Sequence, residues 1–217
     1  MKLEEMGSFF ESRLADYEEH MLNGIDSARD FYAFTAGCLP QTPDAEILDL
    51  GCGTGLELDW YFPINPTAKL TGIDLADGML ASLRGKYPNK DITLICGNYF
   101  DVPFGENRFD GAVSVESLHH FTLEEKLPLY IKLHNALKPG CAFILTDYFS
   151  LSDEEERQYR EELLRLKAEQ GLEEDRFYHY DTPLTVAHEL EALRMAGFRK
   201  VAVLNQWGPT VTVRAEK

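Results

Sequence analysis

Positive charge is what this sequence most lacks. Twenty-one lysines and arginines face 37 aspartates and glutamates, a formal net charge of -16 over 217 residues. A phosphate backbone needs basic surface, so the balance argues against duplex binding and demotes nucleic acid in general as a partner without excluding it. Cysteine is sparse as well. Cys38, Cys52, Cys96 and Cys141 lie far apart with no CxxC pair and no metal-ligand spacing, so no disulfide framework and no metal site is expected. No apolar run approaches the length of a membrane span. The opening MKLEEMGSFFESRL lacks the apolar stretch and cleavage pattern of a signal peptide. A cytoplasmic chain with reduced thiols and no membrane partner is therefore expected. Repeats and low-complexity tracts are also missing, while 44% hydrophobic content is enough for a true core.

What is present is a strand–helix alternation. Residues 3–30 read as helical, with Phe10, Leu14, Tyr17 and Met21 on one face. A more apolar helix follows around Asp30–Cys38 and ends at Pro40. From Glu46 short buried strands (EILDLG, KLTGID, DITLIC, RFDGAVSVE, CAFILTDYF) alternate with helices, the last of them stopped by Lys138-Pro139-Gly140. Such a rhythm requires an α/β fold, with a mostly parallel sheet and helices on both faces. Beyond it come a charged helix over Ser152–Glu169, an irregular aromatic stretch, and a helix over Thr185–Met195. Two β-rich runs around Trp207-Gly208-Pro209 complete the chain and predict an antiparallel hairpin.

Asp49-Leu50-Gly51-Cys52-Gly53-Thr54-Gly55 is the most informative segment. Glycines at alternate positions after a buried strand allow a sharp turn and let a ligand approach the backbone closely. Gly72-Ile73-Asp74 then ends the next strand, placing an acid 23 residues beyond Gly51, where it can accept both hydroxyls of a ribose. The loop is not GxGxxG, no arginine is near it, and Asp49 would repel a pyrophosphate. A ribose-bearing ligand with positive charge suits these residues better than a dinucleotide, and a sulfonium nucleoside meets both conditions.

In these motifs the chain resembles the class I, Rossmann-like methyltransferases that use S-adenosylmethionine, in their small-molecule subgroup. The resemblance covers residues 45–148 closely and the final hairpin loosely. It implies a seven-stranded sheet of order 3-2-1-4-5-7-6 with strand 7 antiparallel. It assigns the amino acid portion of S-adenosylmethionine to Gly51, Cys52, Gly53 and Gly55, with Asp49 nearby. It assigns the ribose to Asp74 and the adenine to Leu75, Met79, Asn98 and Tyr99. Asn98 stands where the family usually has aspartate. Glu116 and Ser117 become pocket-wall candidates, and Tyr17, on the helix before the first strand, either touches the cofactor or serves its apolar stripe. One methyltransferase domain over 1–217 is expected: a helical cap at 1–40, a cofactor-binding core at 45–148, a lid insertion at 151–181, and a final helix and hairpin at 182–217.

Methyl transfer from a sulfonium needs close approach and alignment, with at most a base added by the protein. His119 and His120 follow the fourth strand and are either such a base or caps of the next helix. Tyr148 is either a proton relay or packing under the lid. Tyr178, His179 and Trp207 are candidate substrate-pocket residues, against packing roles for each. The segments 1–30 and 151–181 carry 8 acids to 3 bases and 11 acids to 5 bases, so the expected cap and lid are acidic. The expected partner is thus a small neutral or cationic methyl acceptor. RNA or protein methylation, or binding of the cofactor without catalysis, are the alternatives.

Overall fold

The protein is described from a computed structural model covering residues 1–173 and 176–217. Glu174 and Asp175, in the aromatic stretch of the expected lid, lie outside the described residues.

Seven strands form one sheet in the order β3-β2-β1-β4-β5-β7-β6. They are β1 (Glu46–Leu50), β2 (Lys69–Asp74), β3 (Ile92–Cys96), β4 (Phe109–Val115), β5 (Leu137–Tyr148), β6 (Lys200–Trp207) and β7 (Thr210–Glu216). Strands β1 to β5 pair in parallel, and β7 runs antiparallel to both β5 and β6. The expected order and the reversed last strand are both present.

Alternation along the strands builds two cores. Leu48 and Leu50 of β1, with Phe143 and Leu145 of β5, face one cluster, while Ile47 and Ile144 face the other. The first cluster is closed by α6 (Leu123–Ala136) and α8 (Val186–Met195), the second by α3 (Ala28–Cys38), α4 (Leu58–Ile64) and α5 (Asp77–Lys86). Thr122 starts α6 through a capping box with Glu125.

Two expectations are corrected. The helix expected over 3–30 is broken into α1 (Met6–Arg13), a 3-10 turn, α2 (Tyr17–Glu19), a π turn at His20–Gly24, and then α3. Ile25 turns extended and Ser27 adopts φ 61°, so the chain reverses onto the sheet instead of running straight. Lys138-Pro139-Gly140 does not lie between α6 and β5 but inside β5. The pairing steps from Phe109↔Leu137 to Gly111↔Ala142, and the bulge takes up the proline and Gly140 at φ 79°.

The acidic helix α7 (Asp153–Gln170) follows β5, with Ser152 capping it through the Glu155 N–H. The segment after α7 is stitched to the N-terminus: Met6 N–H donates to Phe177 O (3.1 Å) and His179 N–H to Glu4 O (2.9 Å). Glu11 of α1 accepts the Gly78 N–H of α5 at 3.0 Å. These bonds draw α1 and the residues around 177–182 across the carboxyl ends of β1, β2 and β4. No helix among the described residues is long and apolar enough to cross a membrane.

Candidate active site

A cleft opens at those strand ends, beside the switch in strand order between β1 and β4. Its floor is the glycine turn. Gly51 (φ 70°), Gly53 (φ 48°) and Gly55 (φ 72°) are all left-handed, a conformation that side chains with a Cβ resist. A Cβ on Gly51 would stand 2.0 Å from Ser117 Oγ, so only glycine lets the two loops meet. The N–H groups of Gly51 and Cys52 both donate to Ile73 O, at 2.9 and 3.2 Å, locking the turn to β2.

Asp74 ends β2 on one side of this floor. Its Oδ2 accepts the Gly53 N–H at 2.8 Å and its Oδ1 the Ala76 N–H at 2.9 Å, which leaves a lone pair on each oxygen for a ligand hydroxyl. Leu75, Met79 and Tyr99 form one apolar wall, and Met6, Phe10 and Tyr17 come down from the N-terminal segment as the roof. Glu116, Ser117, His120 and Phe121 close the far side. Glu116 holds φ 50°, a strained conformation for a residue with a long side chain. Burial, then the charge of Asp147, pushes its carboxyl up to about 8.

Charge decides what such a cleft can hold. No lysine or arginine is among its lining residues, whereas Asp74 and Glu116 are. Behind the glycine turn, the buried carboxyls of Asp49 and Glu57 act on each other, and Asp49 Oδ2 and Glu57 Oε1 have no hydrogen-bond partner among the described residues. Burial and the neighbouring acids raise Asp49 well above the usual carboxylate range. Burial, then the charges of Asp74, Glu57 and Glu116, raises the Tyr17 phenol and keeps it protonated. Orphaned buried carboxylate oxygens and a glycine cradle that a Cβ would fill fit a cationic nucleoside with an amino acid tail. They do not fit a pyrophosphate.

Of the residues expected at the site, Gly51, Gly53, Asp74, Leu75, Met79, Tyr99, Glu116, Tyr17 and His120 line the cleft. Asp49 lies behind it with Glu57. Cys52 is buried, its sulfur 2.8 Å from where a Cβ on Gly72 would stand, and Gly55 packs on Leu58 and Leu83. Asn98 turns its amide onto its own loop, donating to Asp101 Oδ2 (3.0 Å) and accepting the Phe100 N–H (2.9 Å). Trp207 packs against Phe31 and Phe34 of α3, away from the cleft. Tyr148 pairs its hydroxyl with Tyr159 of α7 at 3.3 Å. Tyr178 bridges to Glu5, and His179 stacks on Phe9 with ring centroids 3.4 Å apart.

Next to the cleft is a histidine–aspartate group. His119 Nδ1 bonds the buried Asp147 Oδ1 at 2.6 Å, and Asp147 also accepts the N–H groups of Leu118 (2.8 Å) and Tyr148 (2.9 Å). Burial disfavours the His119 cation, but Asp147 outweighs it and lifts the ring to about 9. Burial, then the His119 charge, lowers His120. Burial, then His120, lowers His179 to about 4. Asp181 faces both leading rings, with Oδ1 3.7 Å from His119 Nε2 and 3.1 Å from His120 Nδ1. Sequence reasoning missed Glu57, Asp181, Met6 and Phe121. None belongs to a spaced motif; only the fold brings Met6 and Phe121 into the cleft lining, Glu57 behind it and Asp181 to the histidines.

Comparison with known proteins bears on residues 48–145, which match a family model described as a methyltransferase domain. The chain is similar to 24-methylenesterol C-methyltransferase 3 of Arabidopsis thaliana, 30% identical over 68% of this chain and 43% of that protein. It is also similar to demethylmenaquinone methyltransferase of Symbiobacterium thermophilum, 37% identical over 57% of this chain and 51% of that one. The chain thus spans about half the length of these curated relatives or less. Among solved structures, an S-adenosylmethionine-dependent methyltransferase from Mesorhizobium loti superposes with TM-score 0.64. Its identity is 22%, over 90% of this chain and 100% of that one, which bears on the fold alone.

Proposed function

We propose, from the premise that this chain belongs to the class I, Rossmann-like S-adenosylmethionine-dependent methyltransferases, that it methylates an O, N or C nucleophile of a small molecule. When bound, S-adenosylmethionine supplies a methyl group on a positively charged sulfur. The chain's own residues do the rest. Asp74 offers its two free lone pairs to the ribose, Leu75, Met79 and Tyr99 sandwich the base, and Gly51 and Gly53 admit the amino acid portion. Asp49 and Glu57 supply negative field behind the turn, and Tyr17 closes the roof. Glu116, His120 and Phe121 face the acceptor, which they hold in line and out of water.

The observation that carries this reading is the cleft's charge: four carboxyl groups, Asp49, Glu57, Asp74 and Glu116, surround a glycine cradle with no lysine or arginine in its lining. A small acceptor is favoured over a polymer because the N-terminal segment, which supplies Met6, Phe10 and Tyr17 to the cleft, is acidic. The four free thiols suit a reducing, cytoplasmic setting. Calorimetry with S-adenosylmethionine, S-adenosylhomocysteine and NAD tests the cofactor assignment, and preferential NAD binding would overturn it. A metabolite panel scored by S-adenosylhomocysteine release then tests the transfer; cofactor binding with no release across the panel would favour a non-catalytic binder.

A further inference from the structure

The residues at the acceptor side of the cleft offer more than a base. Three potential ligand atoms, one each from His119, His120 and Asp181, lie within 4.8 Å of one another. Asp181 Oδ1 stands 3.1 Å from His120 Nδ1 and 3.7 Å from His119 Nε2. Nitrogen and oxygen donors about 2.0–2.2 Å from a tetrahedral ion stand about 3.3 Å apart, so both separations need only small side-chain adjustment.

We propose that His119, His120 and Asp181 form a binding site for a divalent transition cation of the Zn²⁺ class. Three independent features support it. His120 is buried, and its Nδ1 has no hydrogen-bond partner although it is aimed at Asp181. Both imidazoles face the same Asp181 oxygen, His120 Nδ1 at 3.1 Å and His119 Nε2 at 3.7 Å. An ion at the shared point satisfies all three groups.

The second feature is the outer support. His119 turns Nε2 toward Asp181 because its Nδ1 is held by the buried Asp147, itself fixed by two backbone N–H groups. A carboxylate behind a ligating histidine sets the ring's orientation and raises its basicity. The third is that Asp181 is brought to the histidines by backbone, not by chance of a long side chain: the neighbouring Thr182 N–H donates to His119 O at 2.8 Å. Imidazole donors select Zn²⁺, Co²⁺ or Ni²⁺ over Mg²⁺ and Ca²⁺.

Three protein donors leave coordination positions open, and His120 belongs to the cleft wall. An acceptor oxygen or nitrogen could be held at those positions facing the cofactor side; this use of the ion rests on the methyl-transfer reading, whereas binding of the ion does not.

The test uses the full chain, stripped with EDTA and dialysed. Co²⁺ and Zn²⁺ are titrated by calorimetry, with visible absorption for Co²⁺ and histidine ring NMR signals for Zn²⁺. One equivalent bound, with Co²⁺ d–d bands and shifted His119 and His120 signals, is the expected result. Asp181→Ala should weaken binding at least tenfold, and Asp147→Asn, which removes only the outer support, by 10- to 100-fold. Asp181 is 45% exposed in its side chain, so its loss is compatible with folding, and isosteric Asp181→Asn provides a second variant. No stoichiometric binding, or wild-type affinity in both Asp181 variants, overturns the site. S-adenosylhomocysteine affinity measured on the same samples keeps the two readings apart: its absence in the wild type defeats the cofactor assignment, whereas intact affinity without metal binding defeats this inference alone.

Discussion

The carboxyl groups of Asp49 and Glu57 act on each other in the buried interior behind the glycine turn, and Asp49 Oδ2 and Glu57 Oε1 have no hydrogen-bond partner among the described residues. Asp49 closes β1 on the α3–α4 face, and Glu57 stands at the start of α4, so the turn itself presses them together. Two acids in such contact cannot both ionise freely. The arrangement costs the unliganded protein stability and prepares it for a cation.

Neutralising one member should therefore stabilise the free protein and harm its ligand affinity. Burial raises both folded-state carboxyls above their unfolded values. A raised group contributes stability that is intact below the unfolded carboxylate range, near pH 4, and lost as pH climbs through the folded value. Asp49→Asn should melt higher than the wild type, with the gap widening from pH 5 to pH 8, and should bind S-adenosylmethionine at least tenfold more weakly. Thermal scans over that range and calorimetry check both. A gap that narrows with pH would contradict the shared-proton account.

Gly51→Ala tests the cradle. Its Cβ would fall 2.0 Å from Ser117 Oγ and 2.6 Å from Ser117 Cβ, at a left-handed φ. Loss of cofactor binding is expected. Adding Ser117→Gly removes the clash but leaves the backbone penalty of about 1–2 kcal/mol. The double variant should recover part of the lost affinity, and calorimetry on the three proteins decides; no recovery would place the defect in the backbone alone.

The strand–helix alternation and the glycine turn were legible because both are written in local pattern: buried runs at regular intervals, and Asp74 at the end of the strand after the turn; the strand order came from the family resemblance those motifs carry. The acidic pocket was half legible. Asp49 adjoins the motif, but Glu57 stands at the N-cap of the following helix, with nothing in its neighbours to mark it. Asp181 was invisible, since it reaches His119 and His120 only through the crossing of the segment after α7. The unbroken helix expected over 3–30 failed for the opposite reason: its apolar spacing was sound, but packing against the sheet bends the chain at Gly24–Ser27. Lys138-Pro139-Gly140 misled because a proline inside a strand is tolerated at a bulge.

Asp74→Asn separates ribose recognition from loop support. The two carboxylate oxygens accept Gly53 and Ala76 N–H groups, and an amide can keep only one of those acceptors. Binding of S-adenosylhomocysteine should weaken by at least tenfold. The wild type should also prefer S-adenosylhomocysteine over its 2′,3′-dideoxy analogue, and the variant should lose that preference. Retained discrimination would assign the ribose to another residue.

Behind the site, Lys126 is fully buried on α6 and bonds Glu189 of α8 at 2.7 Å; Tyr130 donates its hydroxyl to the same carboxylate. The Lys126 charge also helps hold Asp147 below the usual carboxylate range, after the larger contribution of His119 and against its burial. The network thus ties α8 to the histidine group through two buried acids. Removing one partner of a buried pair strands a charge, at a cost of about 3–5 kcal/mol, whereas replacing all partners with apolar groups of similar volume is often neutral or better. Lys126→Met alone should lower stability by that order. Lys126→Met with Glu189→Leu and Tyr130→Phe should restore most of it, as read by denaturant midpoints at a common slope. The restored triple variant should still lack the Lys126 charge near Asp147, so its Asp147 carboxyl should titrate higher than in the wild type, as followed by carboxyl NMR. A triple variant as unstable as the single one would show that packing, not the stranded Glu189 charge, sets the penalty.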